Sequence, residues 1–188
     1  MANPRIIAGS ARGIRIDPVP GDITRPITDR VKEALFNILG ADILESTFLD
    51  VFGGTGSVGI EALSRGADLA RFHDIHFSAI ETIKKNLLRT RLAEKAEVQM
   101  GDALAILSRK PDRSFDYIFI APPQYKSIWQ KTLTILDKNP HWLAEDGWII
   151  VQIDPVEYEE KVLESFIEIN QRKYGSTLLV FYEWKSPS

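Results

Sequence analysis

From Thr47 onward, short apolar runs alternate with segments whose apolar residues recur at helical spacing, the pattern of a parallel sheet with crossover helices. The runs predict strands near 48–52, 69–74, 97–100, 115–120 and 147–152. Between them the spacing predicts helices over 58–65, 78–92, 103–108 and 128–136. Ahead of this block, residues 5–16 read as two short apolar-containing runs around a Ser10-Ala-Arg-Gly13 turn, which predicts a β-hairpin. Thr28 then caps a helix with Val31, Ala34, Leu35 and Ile38 on one face, and Gly40 stops it. After Asp154-Pro155 the pattern reads as a charged helix with Val162 and Phe166 on one face. Two β-rich runs joined near Tyr174-Gly-Ser176 close the chain as an antiparallel hairpin.

At 188 residues and 44% hydrophobic, the chain buries a sizeable core within one compact α/β domain. It divides into an extension of hairpin and helix at 1–40 and a main domain at 41–188. There are no cysteines, which excludes disulfides and thiolate chemistry. No apolar run approaches the roughly 20 residues of a membrane span, and a soluble, untargeted, cytoplasmic protein, monomeric rather than oligomeric, is expected. The net charge of −3 gives no general bias toward nucleic acid. The front of the chain differs: residues 1–32 carry six basic residues, Arg5, Arg12, Arg15, Arg25, Arg30 and Lys32, against three acids.

The densest chemistry lies in Phe48-Leu-Asp-Val-Phe-Gly-Gly-Thr-Gly-Ser-Val-Gly59, an apolar strand running into a glycine-rich turn that opens a helix. Glycines here let the backbone approach a ligand, and the helix N-terminus favours an anionic group. A turn of packing value only is the competing reading of a lone glycine run. Asp74 closes the second strand, where an acid accepts from both ribose hydroxyls, and Asp102 closes the third, within reach of an adenine amine. Three ligand-type features at three consecutive strand ends favour a nucleotide-like cofactor, with Asp50 placed to hold its ammonium group. The next strand end reads Ile118-Phe-Ile-Ala-Pro-Pro-Gln-Tyr125, where two prolines lock φ and fix carbonyls that accept from an exocyclic amine. His73 and His76 read as pocket-rim residues, and no metal site is expected. Trp142, Trp148 and Trp184 read as packing residues, and Glu157, Glu159, Glu160 and Glu164 as a solvated helix face.

With these residues laid out, the chain resembles the RsmD family of 16S ribosomal RNA guanine-N2 methyltransferases along nearly its whole length. The similarity is carried by Arg5-Ile-Ile-Ala-Gly9 with Thr24-Arg-Pro-Ile-Thr-Asp-Arg-Val-Lys-Glu-Ala-Leu-Phe-Asn-Ile-Leu39, and by Asp50-Val-Phe-Gly-Gly-Thr-Gly56 with Gly59-Ile-Glu-Ala-Leu-Ser-Arg-Gly66. Lys84-Lys-Asn-Leu87 and Tyr174-Gly-Ser-Thr-Leu-Leu-Val-Phe-Tyr182 complete it. The resemblance implies a Rossmann-like class I methyltransferase fold, mostly parallel with a C-terminal antiparallel hairpin and a small N-terminal β-hairpin extension. It implies S-adenosyl-L-methionine as methyl donor and small-subunit ribosomal RNA, or the assembling 30S particle, as partner. Carried over by position, Asp50, Phe52, Gly53, Gly54, Gly56, Asp74 and Asp102 hold the cofactor. Ala121, Pro122, Pro123, Gln124 and Tyr125 form the acceptor motif, and Arg5, Arg12, Arg15 and Arg25 touch RNA phosphates.

The sequence departs from the family pattern where the target base is received. That pattern is Asp or Asn, Pro-Pro, then an aromatic; here Ala121 replaces the acid or amide, Gln124 takes the aromatic position and Tyr125 comes one residue late. Losing one preorganised polar partner from such a site costs about 100- to 1,000-fold in turnover unless Gln124 supplies the acceptor and Tyr125 the stacking face. Three other readings compete: a catalytically silent assembly factor that binds S-adenosyl-L-methionine and RNA, a DNA adenine-N6 methylase, and a nicotinamide-dependent oxidoreductase. The last has no use for the di-proline.

Overall fold

β-Branched and aromatic runs form the strands, and the helices between them bury one stripe each, so a sheet with helical crossovers is the architecture that hides both. The computed structural model describes residues 3–21 and 26–186, and the chain folds as two compact units, residues 1–102 and 103–188. The first unit carries strands in the order β3-β2-β1 and the second in the order β4-β5-β7-β6.

In the first unit, β1 (Thr47–Asp50), β2 (Leu69–Asp74) and β3 (Ala96–Met100) are parallel, joined through α2 (Ser57–Ser64) and α3 (Phe77–Thr90). Helix α1 (Asp29–Leu39) precedes them; the Val31 N–H donates to the Thr28 hydroxyl at 3.3 Å, as the cap position predicts. Its buried face is Val31, Lys32, Leu35, Phe36 and Leu39, rotated from the expected Val31, Ala34, Leu35 and Ile38. Lys32 is the reason. Fully buried, it donates to the Arg5 carbonyl at 2.6 Å and the Ser57 hydroxyl at 2.9 Å, and pairs with Glu61 at 3.3 Å. One of the six basic residues at the front of the chain is thus an internal strut rather than a surface charge.

The expected N-terminal hairpin forms as a turn with a single antiparallel bridge, Arg5 to Arg15, and no strand. The two arms pair through the N–H groups of Ile6, Gly13 and Ile16, which donate to the carbonyls of Ile14, Ile6 and Pro4 at 2.9, 2.8 and 2.9 Å, and the remaining backbone groups turn to α2. The N–H groups of Ile7 and Ala8 donate to the Glu61 carboxylate, that of Ser10 to the Ser64 carbonyl and that of Ala11 to the Ser64 hydroxyl. Helix α2 therefore acts as the template on which the segment lies, with Ile6, Ala11 and Ile16 buried beneath it. The expected pairing is therefore present, and the polar side chains of a buried helix satisfy the backbone groups that the short hairpin leaves over.

In the second unit, β4 (Phe115–Ile120) runs parallel to β5 (Leu143–Ile153), and β7 (Thr177–Trp184) is antiparallel to both β5 and β6 (Phe166–Tyr174). Helices α4 (Ala103–Leu107) and α5 (Ile128–Lys138) complete it. The final hairpin closes on the two residues Gly175 and Ser176, with Gly175 at φ 58°, as a tight hairpin turn demands.

The helix expected after Pro155 is absent. Only a 3-10 turn at Pro155–Glu157 forms, and residues 158–165 run irregularly to β6. Val162 is 92% exposed whereas Phe166 is buried, so the two never share a face. The Asp137 carboxylate accepts from the N–H groups of both Glu164 and Ser165 at 2.7 Å, satisfying that backbone without a helix. Trp142 packs on Phe115, Trp148 on Phe181 and Trp184 on Phe166, as packing residues should.

Candidate active site

The glycine-rich turn is built from the backbone outward. Gly53 donates to the His73 carbonyl at 2.7 Å, tying β1 to β2, and Gly56 donates to the Gly53 carbonyl at 2.8 Å, closing the turn. Gly54 and Gly56 stand at φ 56° and 81°, the left-handed region that side chains avoid. A Cβ at Gly59 would lie 2.3 Å from the Phe72 ring, so that glycine brings α2 against β2.

Asp74 locks this turn. One carboxylate oxygen accepts from the Gly54 N–H at 3.0 Å and the other from the His76 N–H at 2.9 Å, leaving further lone pairs on both. The Gly101 N–H donates to the Asp74 carbonyl at 2.9 Å, which brings the β3 end, and with it exposed Asp102, to the β2 end. Phe52 is half-buried beside the turn.

Asp50 is the most informative group. It is 2% exposed, and its Oδ1 has no hydrogen-bond partner. Burial, opposed by a hydrogen bond from the Gly59 N–H and reinforced by the Asp74 charge, pushes its carboxyl well above the usual carboxylate range. Because the N-cap of α2 is Gly56, which has no side chain to offer, the Gly59 bond makes Asp50 a long-range cap for that helix. A buried acceptor left open beside a turn with open space over Gly54 fits a cationic amine. The donor set therefore suits an amino-acid-bearing nucleoside: Asp50 for its ammonium group, Asp74 for ribose hydroxyls.

Two features of this cradle escaped the sequence reading. Ile75, Phe77 and Met100, 59%, 68% and 58% exposed, are apolar side chains just after β2, at the start of α3 and at the end of β3, where a flat aromatic ligand would rest. Asn86 is fully buried: its amide donates to the Thr55 carbonyl at 2.9 Å and the Asp17 carbonyl at 3.0 Å, and its oxygen accepts from the Asp17 N–H at 2.8 Å. It pins the glycine turn and the N-terminal segment to α3, and the Lys84-Lys-Asn-Leu87 stretch was its only signal. His73, expected at a pocket rim, is instead fully buried within β2, while His76 is exposed.

The acceptor motif forms its own cluster in the second unit. Ala121, Pro122 and Gln124 are half-buried and Pro123 is exposed. Tyr125 adopts φ 62° with its ring 67% exposed. Its N–H donates to Glu157 Oε1 at 2.7 Å and its hydroxyl to Asp154 Oδ2 at 3.2 Å. Glu157, read from sequence as a solvated helix residue, thus grips the motif loop.

Among the arginines, Arg5, Arg12 and Arg15 are exposed, and Arg5 pairs with Asp29 at 2.8 Å; Arg25 lies outside the described residues. Lys85 and Arg89 of α3 both pair with Asp17, at 2.7 and 2.6 Å, and hold its carboxyl below the usual range through hydrogen bonds and charge.

Strand order and the glycine turn at the end of β1 define the fold of the class I S-adenosyl-L-methionine-dependent methyltransferases. The family described as Conserved hypothetical protein 95 matches residues 4–183, and the chain belongs to it. The chain is 38% identical over 182 residues to YlbH of Bacillus subtilis, named as a candidate rRNA methyltransferase, covering 95% of this chain and 98% of that one. It is 37% identical over 149 residues to ribosomal RNA small subunit methyltransferase D of Escherichia coli strain K12, covering 79% and 73%. Among solved structures, yhhF of Escherichia coli, described as a candidate methyltransferase, superposes with a TM-score of 0.86 at 31% identity over 97% and 98% of the two chains.

Proposed function

We propose that this protein transfers a methyl group from S-adenosyl-L-methionine to the exocyclic N2 amine of a guanine in small-subunit ribosomal RNA. Similarity to rRNA methyltransferases over 79–95% of this chain carries the reading, and the open acceptor of buried Asp50 supports the cofactor half of it. When bound, the cofactor supplies an electrophilic methyl on a sulfonium. In this reading Asp50 holds its ammonium group, Asp74 its ribose, Asp102 its adenine amine, and Phe52, Gly53, Gly54 and Gly56 line its path. Ile75, Phe77 and Met100 flank the adenine ring.

An exocyclic amine is a weak nucleophile because its lone pair is delocalised into the ring, so acceptors on its N–H bonds and alignment with the methyl carry the catalysis. The Pro122 carbonyl and the Gln124 amide oxygen are the acceptors, and the Tyr125 ring stacks on the base. The proton leaves from the amine after methyl transfer, so no group at Ala121 has to act as a strong base. Residues 1–40 extend the 41–188 catalytic domain toward RNA, with Arg5, Arg12, Arg15 and Arg25 on phosphates, acting in the cytoplasm on RNA or an assembling 30S particle.

The test is methyl transfer from labelled S-adenosyl-L-methionine to small ribosomal subunits from cells lacking this protein, with Gln124→Ala in parallel. Labelled N2-methylguanine that falls in the variant supports the reading. Cofactor binding without transferred label supports the silent assembly factor that Ala121 suggests.

A further inference from the structure

We propose that Glu157 and Asp154 are positioning residues that present Tyr125 to the target base, correcting for its arrival one residue later than in the family pattern. The inference rests on the methyl-transfer reading above and names the device that serves its acceptor site.

In an extended segment, successive side chains point to opposite sides, so inserting Gln124 before the aromatic would turn the ring away from where its predecessor position aims. The structure shows how the chain answers this. Tyr125 leaves the extended region for φ 62°, and Ser127, two residues on, stands at φ 53°. Non-glycine residues avoid this left-handed region, so two of them within three positions need outside support.

That support comes from the connection after β5. Glu157 Oε1 takes the Tyr125 N–H at 2.7 Å, fixing the backbone at the reversal itself. Asp154 Oδ2 takes the phenol hydroxyl at 3.2 Å, fixing the far end of the side chain. With both ends tied, the ring keeps its 67% exposure but loses its freedom to rotate, which is the state of a prepared stacking platform. The two carboxylates are themselves fixed. Asp154 Oδ1 accepts from the Val156 N–H at 3.0 Å and caps the 3-10 turn, and Pro155 starts that turn with its φ already set. Glu157 closes the same turn through its own N–H, which donates to the Asp154 carbonyl at 3.0 Å. This accounts for a turn, rather than the expected helix, at 155–157: a helix starting here would carry residue 157 along its own axis instead of holding it against the loop.

Glu157 Oε2 is buried with no hydrogen-bond partner. Among the described residues, the bond to the Tyr125 N–H is therefore the one side-chain hydrogen bond of this carboxylate, and an amide oxygen in its place could accept it as well.

The experiment is a double-mutant cycle on steady-state methyl transfer to small subunits, using Tyr125→Ala, Glu157→Ala and the pair, with Glu157→Gln, Asp154→Ala and Tyr125→Phe alongside. Since a stacked ring holds the base in ground and transition states alike, its loss is expected to raise KM for RNA roughly 10- to 100-fold with kcat largely kept. Glu157→Ala should reproduce part of that rise, add nothing in the Tyr125→Ala background, and leave the melting temperature and cofactor affinity as they were. Glu157→Gln, which keeps the acceptor for the Tyr125 N–H, should recover most of the loss, and Asp154→Ala should match Tyr125→Phe. Additive effects of Tyr125→Ala and Glu157→Ala, or a Glu157→Gln variant as impaired as Glu157→Ala, overturn the proposal while leaving the methyl-transfer reading intact. A wild-type protein that transfers no label overturns both.

Discussion

The glycine turn of the first unit and the di-proline loop of the second are held by opposite means. The first is closed by its own backbone and by side chains buried around it: Asp74 on Gly54, Asn86 on Thr55, and Asp50 under the start of α2. The second stands largely in solvent, passes twice through the left-handed region, and depends on two carboxylates from a distant segment. The contrast follows from the ligands each is read to serve. A small, invariant cofactor rewards a rigid cradle whose parts are already in place, whereas a base extruded from folded RNA needs an open face with one oriented ring.

The sharpest way to break the comparison is to attack the buried scaffold. Glu61 serves Lys32, Arg65 and the N–H groups of Ile7 and Ala8 at once, so Glu61→Ala strands a buried lysine and is expected to cost roughly 3–5 kcal/mol in urea unfolding. A loss under about 1 kcal/mol would mean the first unit is not built on that network.

If Asp50 holds the ammonium group as proposed, Asp50→Asn is expected to weaken S-adenosyl-L-methionine binding roughly 10- to 100-fold by calorimetry, through loss of a charge-assisted bond. The pH dependence has a defined sign. With its carboxyl raised in the folded protein, Asp50 binds a proton there more readily than in the unfolded chain, whose value is near 3.8. Its contribution to stability therefore falls as pH rises from there through the raised folded value, while cofactor affinity climbs over the same range as the carboxylate forms. Asp50→Asn should flatten both profiles.

On the second unit, Asp137→Ala releases the N–H groups of Glu164 and Ser165 and is expected to cost roughly 2 kcal/mol in the same unfolding experiment, with cofactor affinity unchanged. Arg12→Ala with Arg15→Ala should flatten the slope of log affinity for RNA against log salt by about 1.4 to 1.8; an unchanged slope would remove both from the interface. The smallest effect is expected at Asp17→Asn. Its lowered carboxyl, held by Lys85 and Arg89, contributes stability above about 3.8 that is lost as pH falls through the folded value. The group is half-buried in a surface ion-pair cluster open to solvent screening, so melting temperatures of the two proteins should differ little at neutral pH and converge in acid.

Much of this was legible in the chain because it is local. The strands at 69–74 and 115–120 and the cap at Thr28 follow from periodicity and residue type within a few positions, and the structure has them at those places. The glycine turn was legible too, because positive φ and close approach leave a compositional mark that needs no partner. The N-terminal hairpin was legible as a pairing of residues 4–16 but not its anchoring on α2, and the helix after Pro155 was misread, both because of distant partners. In the first, N–H groups of Ile7, Ala8 and Ala11 go to Glu61 and Ser64, and in the second those of Glu164 and Ser165 go to Asp137, 27 and 28 residues away. Lys32 and Glu157, charged residues that look like surface, were drawn into networks by partners equally remote in sequence.

By itself, then, the sequence determined the order of strands and helices from residue 47 to 153, the glycine turn with Asp50 and Asp74 at its strand ends, and the family to which the chain belongs. Those features are written in short-range patterns of polarity, glycine and proline. Only the tertiary structure decided which charges are buried, that Asp50 keeps an open acceptor, and that Tyr125 is gripped at both ends. Burial and hydrogen-bond partnership are properties of what surrounds a residue, and that surrounding exists only once distant segments have packed together.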